Sequence, residues 1–304
     1  MRIALANVGP MSKAVVLGGG GPVGVAWEAG LIVGLADEGV DLSAADMVAG
    51  TSAGSIVGCQ LRRGEDLGAA VALLGQAVAS QPKAGPEFIG SSMETLMAEL
   101  ARASASAATP EEVVTRMGRL ALESDTMTEE EYLLLFAYLA DVAWPDGFRA
   151  TAVDTASGRF TVWDGSAGED VQRAVASSCA VPGVFPPVTI AGRRYMDGGM
   201  RTPLNADLAA GYDAAVVVSC LPLSLPEGLS EPTFEALAAQ MEAELESVRR
   251  SGAQLGVIGP GDEFLEVSGW GLYLMDADRA PAAFAAGRRQ GATEAARLGT
   301  VWAS

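Results

Sequence analysis

Short runs of consecutive apolar residues alternate along this chain with stretches whose apolar positions return every three or four residues. Residues 14–17 form the first β-rich run, and it ends in Gly18-Gly19-Gly20-Gly21-Pro22-Val23-Gly24. Trp27, Leu31 and Leu35 then recur at helical spacing, and Gly39 stands where a helix C-terminus accepts a left-handed residue. Residues 46–49 read as a second buried strand, followed at once by Gly50-Thr51-Ser52 and by a small, apolar helix over 55–61. Strand, glycine loop, helix, strand, tight turn and helix make a βαβα unit, which predicts a parallel sheet with helices on its faces.

From about residue 63 to 147 the chain changes character and becomes rich in Ala, Leu, Met and Glu, with breaks at 81–86 and 104–110. Four or so helices are expected there. One should start at Thr109-Pro110-Glu111-Glu112, where a cap, a helix-start proline and early acids coincide. This stretch reads as a helical insertion beside the sheet. Phe88, Ile89, Met93, Leu96, Met97 and Leu100 share one greasy face, which serves either as core cover or as a mobile lid that captures an apolar ligand. Strands are then expected at 148–154 and 159–163 around a turn at Ser157-Gly158, a helix over 169–178, and a hairpin over 188–196 turning at Ala191-Gly192. Residues 214–219 form another buried strand, 233–251 an acidic amphipathic helix, 255–258 a short strand and 280–298 a final Ala/Arg helix. No repeat and no long linker divides the chain, so residues 14–304 are expected to fold as one domain behind a flexible 1–13. The expected class is α/β, in three α/β/α layers around a mainly parallel central sheet.

Composition narrows the partners. Of the 304 residues 49% are hydrophobic and 19% charged, as in a globular chain. Lys and Arg number 20 against 38 Asp and Glu, a net charge of −18. That balance argues against nucleic acid and against electrostatic docking on anionic lipid, so any membrane or micelle contact must be apolar. Cys59, Cys179 and Cys220 are an odd, widely spaced set with neither metal spacing nor a disulfide framework, which suits a reducing cytoplasm. The first residues do not read as a secretory signal. The apolar run 14–36 is interrupted by four glycines, Pro22 and Glu28, which speaks against a membrane span.

The candidate chemistry begins with an absence: there is no histidine anywhere in the chain. Gly50-Thr51-Ser52-Ala53-Gly54 nevertheless has the G-x-S-x-G form of a nucleophile elbow, with small residues on both sides of a tight strand-to-helix turn. A serine hydrolase usually draws the hydroxyl proton onto a histidine. Here either Ser52 is no nucleophile or its base is another group, and a carboxylate acting directly is the best candidate. Asp197-Gly198-Gly199, at the tip of a strand, supplies one, although Asp-Gly is equally a common turn. An ordinary aspartate is a weak base, with a pKa of about 4, and without imidazole no titration near neutrality is expected. Gly19-Gly20-Gly21-Pro22-Val23-Gly24 matches G-x-G-x-x-G, which suits a dinucleotide or an oxyanion hole. The dinucleotide reading wants an acid at the end of the second strand, and Gly50-Thr51-Ser52 stands there instead.

Taken in order, the glycine loop at 19–24, the elbow at 50–54, and the block Ala176-Ser177-Ser178-Cys179-Ala180-Val181-Pro182-Gly183-Val184-Phe185-Pro186-Pro187 followed by Asp197-Gly198-Gly199 resemble the patatin-like phospholipases. The likeness covers about residues 14–219. It implies a patatin-like fold and a serine lipid acyl hydrolase of phospholipase A or lysophospholipase type. Ser52 would be nucleophile and Asp197 base, and the amides of Gly19, Gly20, Gly21 and Ala53 would be the oxyanion donors. Gly24, Gly50, Gly54, Gly198 and Gly199 would be the motif glycines. It implies a lipid ester as substrate, lipid degradation as the role, and neither metal nor cofactor. Members commonly carry Arg or Lys where this chain has Val23, so an anion-stabilising charge is missing. A nucleotide-binding protein, a lipid-binding pseudo-enzyme and an acyltransferase are the rival readings.

Overall fold

The computed structural model describes residues 11–72, 86–106, 109–224 and 232–302. Its strands are β1 (Lys13–Leu17), β2 (Met47–Gly50), β3 (Phe148–Asp154), β4 (Phe160–Trp163), β5 (Val188–Ile190), β6 (Arg193–Asp197), β7 (Ala214–Val218) and β8 (Gln254–Ile258). The helices that matter below are α1 (Gly21–Asp37), α2 (Ala53–Arg62), α3 (Pro86–Ala105), α4 (Pro110–Glu123), α5 (Glu129–Leu134), α6 (Val171–Ser178), α7 (Pro232–Arg250), α8 (Asp262–Ser268) and α9 (Ala280–Trp302). The strands form one eight-stranded sheet in the order β5-β6-β3-β2-β1-β7-β8, with β4 paired to β3 as well. β3, β2, β1, β7 and β8 are mutually parallel, while β4 and β6 pair antiparallel with β3 and β5 pairs antiparallel with β6. The α/β class with a mainly parallel sheet is therefore present as expected.

Alternation along the strands sorts the side chains into two faces. Val15, Leu17, Val48, Val216 and Val218 join Trp27 and Leu31 of α1, Ile56 and Val57 of α2, Val175 of α6 and Leu298 of α9. Ala14, Val16, Met47, Ala49, Ala215 and Val217 face Met241, Leu245 and Val248 of α7. Sheet strands covered on both sides read as unbroken apolar runs, which is why β1, β2 and β7 were visible without any alternation. The helical insertion is cover for the sheet: Leu96 of α3 with Met117 and Ala121 of α4 packs on Val153 and Met196. Met93 and Leu100 lean on the same cluster, and Met97 is half exposed. The side chains of Phe88 and Ile89 lie outside the described residues, as does most of the break expected at 81–86.

Local signals held where chemistry enforces them. Thr109 caps α4 and forms a reciprocal pair with Glu112, and Thr128 does the same with Glu131 at the start of α5. The Ala191-Gly192 turn has two consecutive positive φ angles, as a tight hairpin requires. One expectation needs correction. Residues 1–10 lie outside the described part, but Ser12 and Lys13 are not a loose tail: the Ser12 amide and hydroxyl both donate to Asp213, at 2.8 Å each, and Lys13 opens β1.

The closest helix pair is α1 against α9. A methyl group built on Gly30 or Gly34 of α1 would collide with the carbonyl oxygens of Phe284 and Arg288, and one built on Gly287 or Gly291 of α9 with those of Trp27 and Leu31. Two glycines four residues apart on each helix let the backbones touch. Trp27 beside this seam stacks on Phe264 of α8, centroids 4.6 Å apart, and its indole N–H donates to Gln290 at 3.2 Å. Gly30→Val should therefore destabilise the fold by about 3 kcal/mol or more, since overpacking here meets backbone rather than a mobile side chain. Gly90 lies in α3 with open space where its Cβ would be, so Gly90→Ala should add about 0.5–1 kcal/mol. Urea denaturation of the two variants measures both, and the signs must be opposite.

Candidate active site

β2 ends at Gly50, and two residues later Ser52 adopts φ 51° and ψ −117°. A non-glycine residue holds such angles at a cost of about 1–3 kcal/mol, and only where its surroundings enforce them. Here they do. The Ser52 amide donates to Ser178 Oγ at 2.9 Å, and its carbonyl accepts from the Ser55 hydroxyl at 2.7 Å, the Ser55 amide at 2.9 Å and the Cys179 thiol at 3.3 Å. A Cβ at Gly50 or Gly54 would strike the backbone of Gly54 or Leu17 respectively, so the turn closes only with glycine at both places. α2 starts at Ala53 and presents its amide end at the serine.

The carboxylate arrives from the opposite direction. On β3, Ala150 pairs with Gly50 of β2 and Ala152 with Asp197 of β6, while β4 pairs with both residues along the other edge. β2 and β6 thus lie end to end on one edge of β3, and the elbow meets the Asp197 turn across Thr151. Thr151 Oγ1 donates to Thr51 Oγ1 at 2.9 Å, and Asn205 Nδ2 donates to the same Thr51 oxygen at 2.9 Å. Asn205, wholly buried and left-handed at φ 53°, also donates to Thr202 O at 2.8 Å and lies 3.4 Å from Gly198 O. Asparagine tolerates that backbone better than most residues. From below, Glu244 of α7 accepts from the Ala206 amide at 3.0 Å and from the Thr202 hydroxyl at 3.4 Å. Burial lifts its carboxyl pKa to about 7.

Asp197 is almost fully buried. Its amide donates to Ala180 O at 2.9 Å, its Oδ1 accepts from the Gly199 amide at 2.7 Å, and the Ser52 hydroxyl lies near enough to the carboxylate to lower its pKa. Desolvation outweighs the Gly199 amide and the nearby Ser52 hydroxyl and pushes the pKa up to about 7. This corrects the expectation of a weak base titrating only near pH 4. Burial gives an aspartate the working range of an imidazole.

The glycine loop divides its amides between structure and solvent. Gly18 N donates to Val218 O at 3.0 Å, and Gly19 N donates to Pro203 O at 2.7 Å. Gly19 is therefore not available as an oxyanion donor, contrary to expectation: its N–H ties the loop to the chain behind Asp197. The amides of Gly20, Gly21 and Ala53 make no hydrogen bond among the described residues. Gly21 has φ 57°, and its α-carbon lies against Leu274 and Met275, so a side chain there would be both strained and blocked. Cys220 fills the space beside Gly20 and Gly24. Val23 is buried and donates its amide to Leu274 O at 3.1 Å. Behind the loop, Glu28 is wholly buried without a hydrogen bond of normal geometry, and desolvation holds its pKa well above the usual carboxylate value. The Cys220 thiol and Gly18 backbone near it lower that pKa only slightly.

Other nucleophiles are quiet. All three cysteines are free and buried. Burial, then the Asp197 charge, raises the pKa of Cys179, which keeps it a thiol despite its place beside Ser52. Among the described residues no group of three or more His, Cys, Asp and Glu side chains is arranged to hold a metal ion, and no helix is long and apolar enough to cross a membrane. Ser52, Asp197, Gly20, Gly21, Ala53, Gly24, Gly50, Gly54, Gly198 and Gly199 all converge on this one locus. Thr51, Thr151, Ser178 and Asn205, which hold it, were not read from sequence. Thr51 and Ser178 sat inside quoted motifs, but Thr151 and Asn205 carry no local signal.

Solved structures that resemble the chain include VipD from Legionella pneumophila, at 14% identity over 90% of this chain and 67% of that one, with a TM-score of 0.39. The type III effector ExoU matches at 16% identity over 95% of this chain, with a TM-score of 0.41. ExoU of Pseudomonas aeruginosa in complex with SpcU matches at 18% identity over 93%, with a TM-score of 0.33. The chain spans about half the length of ExoU, 53% in both cases. No curated protein sequence matches it. The family model of the patatin-like phospholipases matches residues 15–210. That span runs from β1 past the turn behind Asp197, and on it the chain belongs to the patatin-like phospholipase family.

Proposed function

We propose that this protein is a serine lipid acyl hydrolase that cleaves carboxylic esters of phospholipids or related lipids through a Ser52–Asp197 dyad. The observation that carries the reading is a serine held at a strained elbow beside a buried carboxylate whose pKa is lifted to about 7. Asp197 takes the hydroxyl proton as Ser52 Oγ attacks the ester carbonyl. The tetrahedral oxyanion is held by amides among those of Gly20, Gly21 and Ala53, with the amide end of α2 adding to the field. The proton on Asp197 passes to the leaving alcohol. Asp197 then removes a proton from water, whose oxygen attacks the acyl-enzyme. As the acyl–serine bond breaks, Asp197 returns that proton to Ser52 Oγ, freeing the fatty acid and restoring the dyad. No step calls on a cofactor.

The nucleophile is tested by Ser52→Ala, which should reduce ester hydrolysis by several orders of magnitude and abolish labelling by a fluorophosphonate, with the thermal transition unchanged. A labelled alanine variant refutes the assignment.

The base is tested by pH. Only ionised Asp197 accepts a proton, so kcat/KM should climb as pH rises through about 7 and then level off. The same shift has a cost in stability. The folded pKa lies above the unfolded value of about 4, so the folded state holds a proton that the unfolded chain releases between about pH 4 and 7. Stability from this group is full below about pH 4 and falls as pH rises through that window, by about 4 kcal/mol at most. Asp197→Asn should abolish turnover yet raise the melting temperature at pH 8, with the gain vanishing near pH 4. An active variant, or one equally stabilised at both pH values, contradicts the role.

Asn205 is expected to act by positioning. Asn205→Ala frees Thr51 and the Gly198 turn, and a misplacement of the dyad of this kind should lower kcat about 100-fold with little change in KM. A loss confined to KM would show that Asn205 serves substrate binding instead.

A further inference from the structure

The turn between α8 and α9 is built unlike any other exposed segment among the described residues. Gly269, Trp270 and Gly271 have φ angles of 57°, 58° and 94°, three left-handed residues in succession. For glycine this costs little, but for a tryptophan it costs about 1–3 kcal/mol, and Trp270 is not compensated by burial: it is 45% exposed. Leu272 is 83% exposed and Tyr273 47%. The turn is nevertheless firmly held. Trp270 N donates to Leu265 O at 2.9 Å, Tyr273 N to Ser268 O at 2.9 Å, and Asp276 N to Tyr273 O at 3.0 Å. Arg279 lies over the Tyr273 ring at 4.1 Å and is neutralised by Asp276 at 2.9 Å. A rigid turn thus presents one tryptophan, one leucine and one tyrosine to solvent within four residues.

Its position gives these side chains a use. Leu274 O accepts the Val23 amide, and Leu274 and Met275 close on Gly21, so the far end of the turn is a wall of the glycine loop. Among the described residues the other exposed large apolar side chains, Met97, Leu122, Leu134 and Tyr138, belong to the helical insertion.

We infer that the turn at residues 269–275 is the surface by which the protein seats on a zwitterionic phospholipid bilayer, with Trp270, Leu272 and Tyr273 entering the interface beside the glycine loop. This rests on the lipid hydrolase reading for its purpose, though not for its geometry. Trp and Tyr favour the boundary between headgroup and acyl chain. The local cation is already paired and the chain carries −18, so an anionic surface gains nothing. Three side chains fall far short of the roughly 800 Å² per partner that stable protein association takes, but they suffice for shallow, reversible insertion.

Vesicle flotation on phosphatidylcholine tests this in a Ser52→Ala background, so that binding is read without turnover. The double variant Trp270→Gly with Leu272→Ser should reduce the bound fraction about tenfold or more, and binding of the parent should be indifferent to salt. Glycine suits φ 58° better than tryptophan does and Leu272 touches little, so the fold should survive; Leu272→Ser alone provides a second, milder reading in the same direction. With Ser52 intact, hydrolysis of phosphatidylcholine vesicles should fall in parallel while hydrolysis of a short soluble ester stays within about twofold. Vesicle binding unchanged in the double variant, binding abolished by salt, a parent that does not float, or a double variant whose only change is a smaller sedimenting species would each overturn the inference. Vesicle binding that depends on the turn in a protein without esterase activity would support the docking surface and refute the hydrolase reading.

Discussion

The Thr51 hydroxyl joins the three parts of the chain that must act together. It accepts one hydrogen bond from Thr151 in the middle of β3 and another from Asn205 in the segment behind Asp197. Ser52 follows it directly, Gly198 lies within reach of the same Asn205 amide, and Pro203 in that segment holds Gly19 of the glycine loop. The elbow and the segment behind the carboxylate turn are 154 residues apart in sequence, yet elbow, turn and glycine loop are all tied to this knot. Thr51, Thr151 and Asn205 are all buried, where a lost partner leaves an unpaired polar group at about 1–3 kcal/mol. Rigidity at the site is thus a consequence of satisfying polar groups that the parallel sheet brings into the interior.

Burial also explains how a protein without histidine places a proton acceptor near neutrality. In water an aspartate is ionised at any physiological pH and holds protons too weakly to be a useful base. Enclosed between Ser52, Gly199 and the apolar packing of β6, Asp197 keeps the Gly199 amide and the nearby Ser52 hydroxyl, which favour its charge, and loses the water that favoured it more. The same removal of solvent that raises its proton affinity opposes folding when it is ionised. Under the proposed mechanism activity and stability therefore pull in opposite directions on one side chain, as is common where a site holds a group away from its preferred state.

Much of this was legible in the sequence, for identifiable reasons. β1, β2 and β7 are continuous apolar runs, and only a strand buried on both faces has that form. The Thr109 cap and the Ala191-Gly192 turn are local, and local chemistry is written locally. Ser52 and the glycines stood out because a tight elbow admits few residue types. What was not legible depends on the tertiary fold. Thr151 and Asn205 are ordinary polar residues until β2 and β6 are laid end to end on β3. Gly19 looked like its neighbours, and only the approach of Pro203 removes its amide from use. The pKa of Asp197 was misjudged because desolvation is a property of the enclosure, with no signature in the Asp-Gly-Gly motif itself.

The interlocked glycines of α1 and α9 bear on how the protein is made. Arg288 of α9 pairs with Asp37 of α1 across 251 residues, and the glycine seam beside that pair joins chain just as far apart. Contacts so distant in sequence form late, because a long loop must close before they repay its entropy. α1 begins at Gly21, so the first turn beside the glycine loop belongs to a helix whose seat is set by this distant partner. A substitution in the seam, far from Ser52, therefore reaches the amides of Gly20 and Gly21 through the axis of α1, and the shape of the loop is a property of the docked pair rather than of the glycines alone.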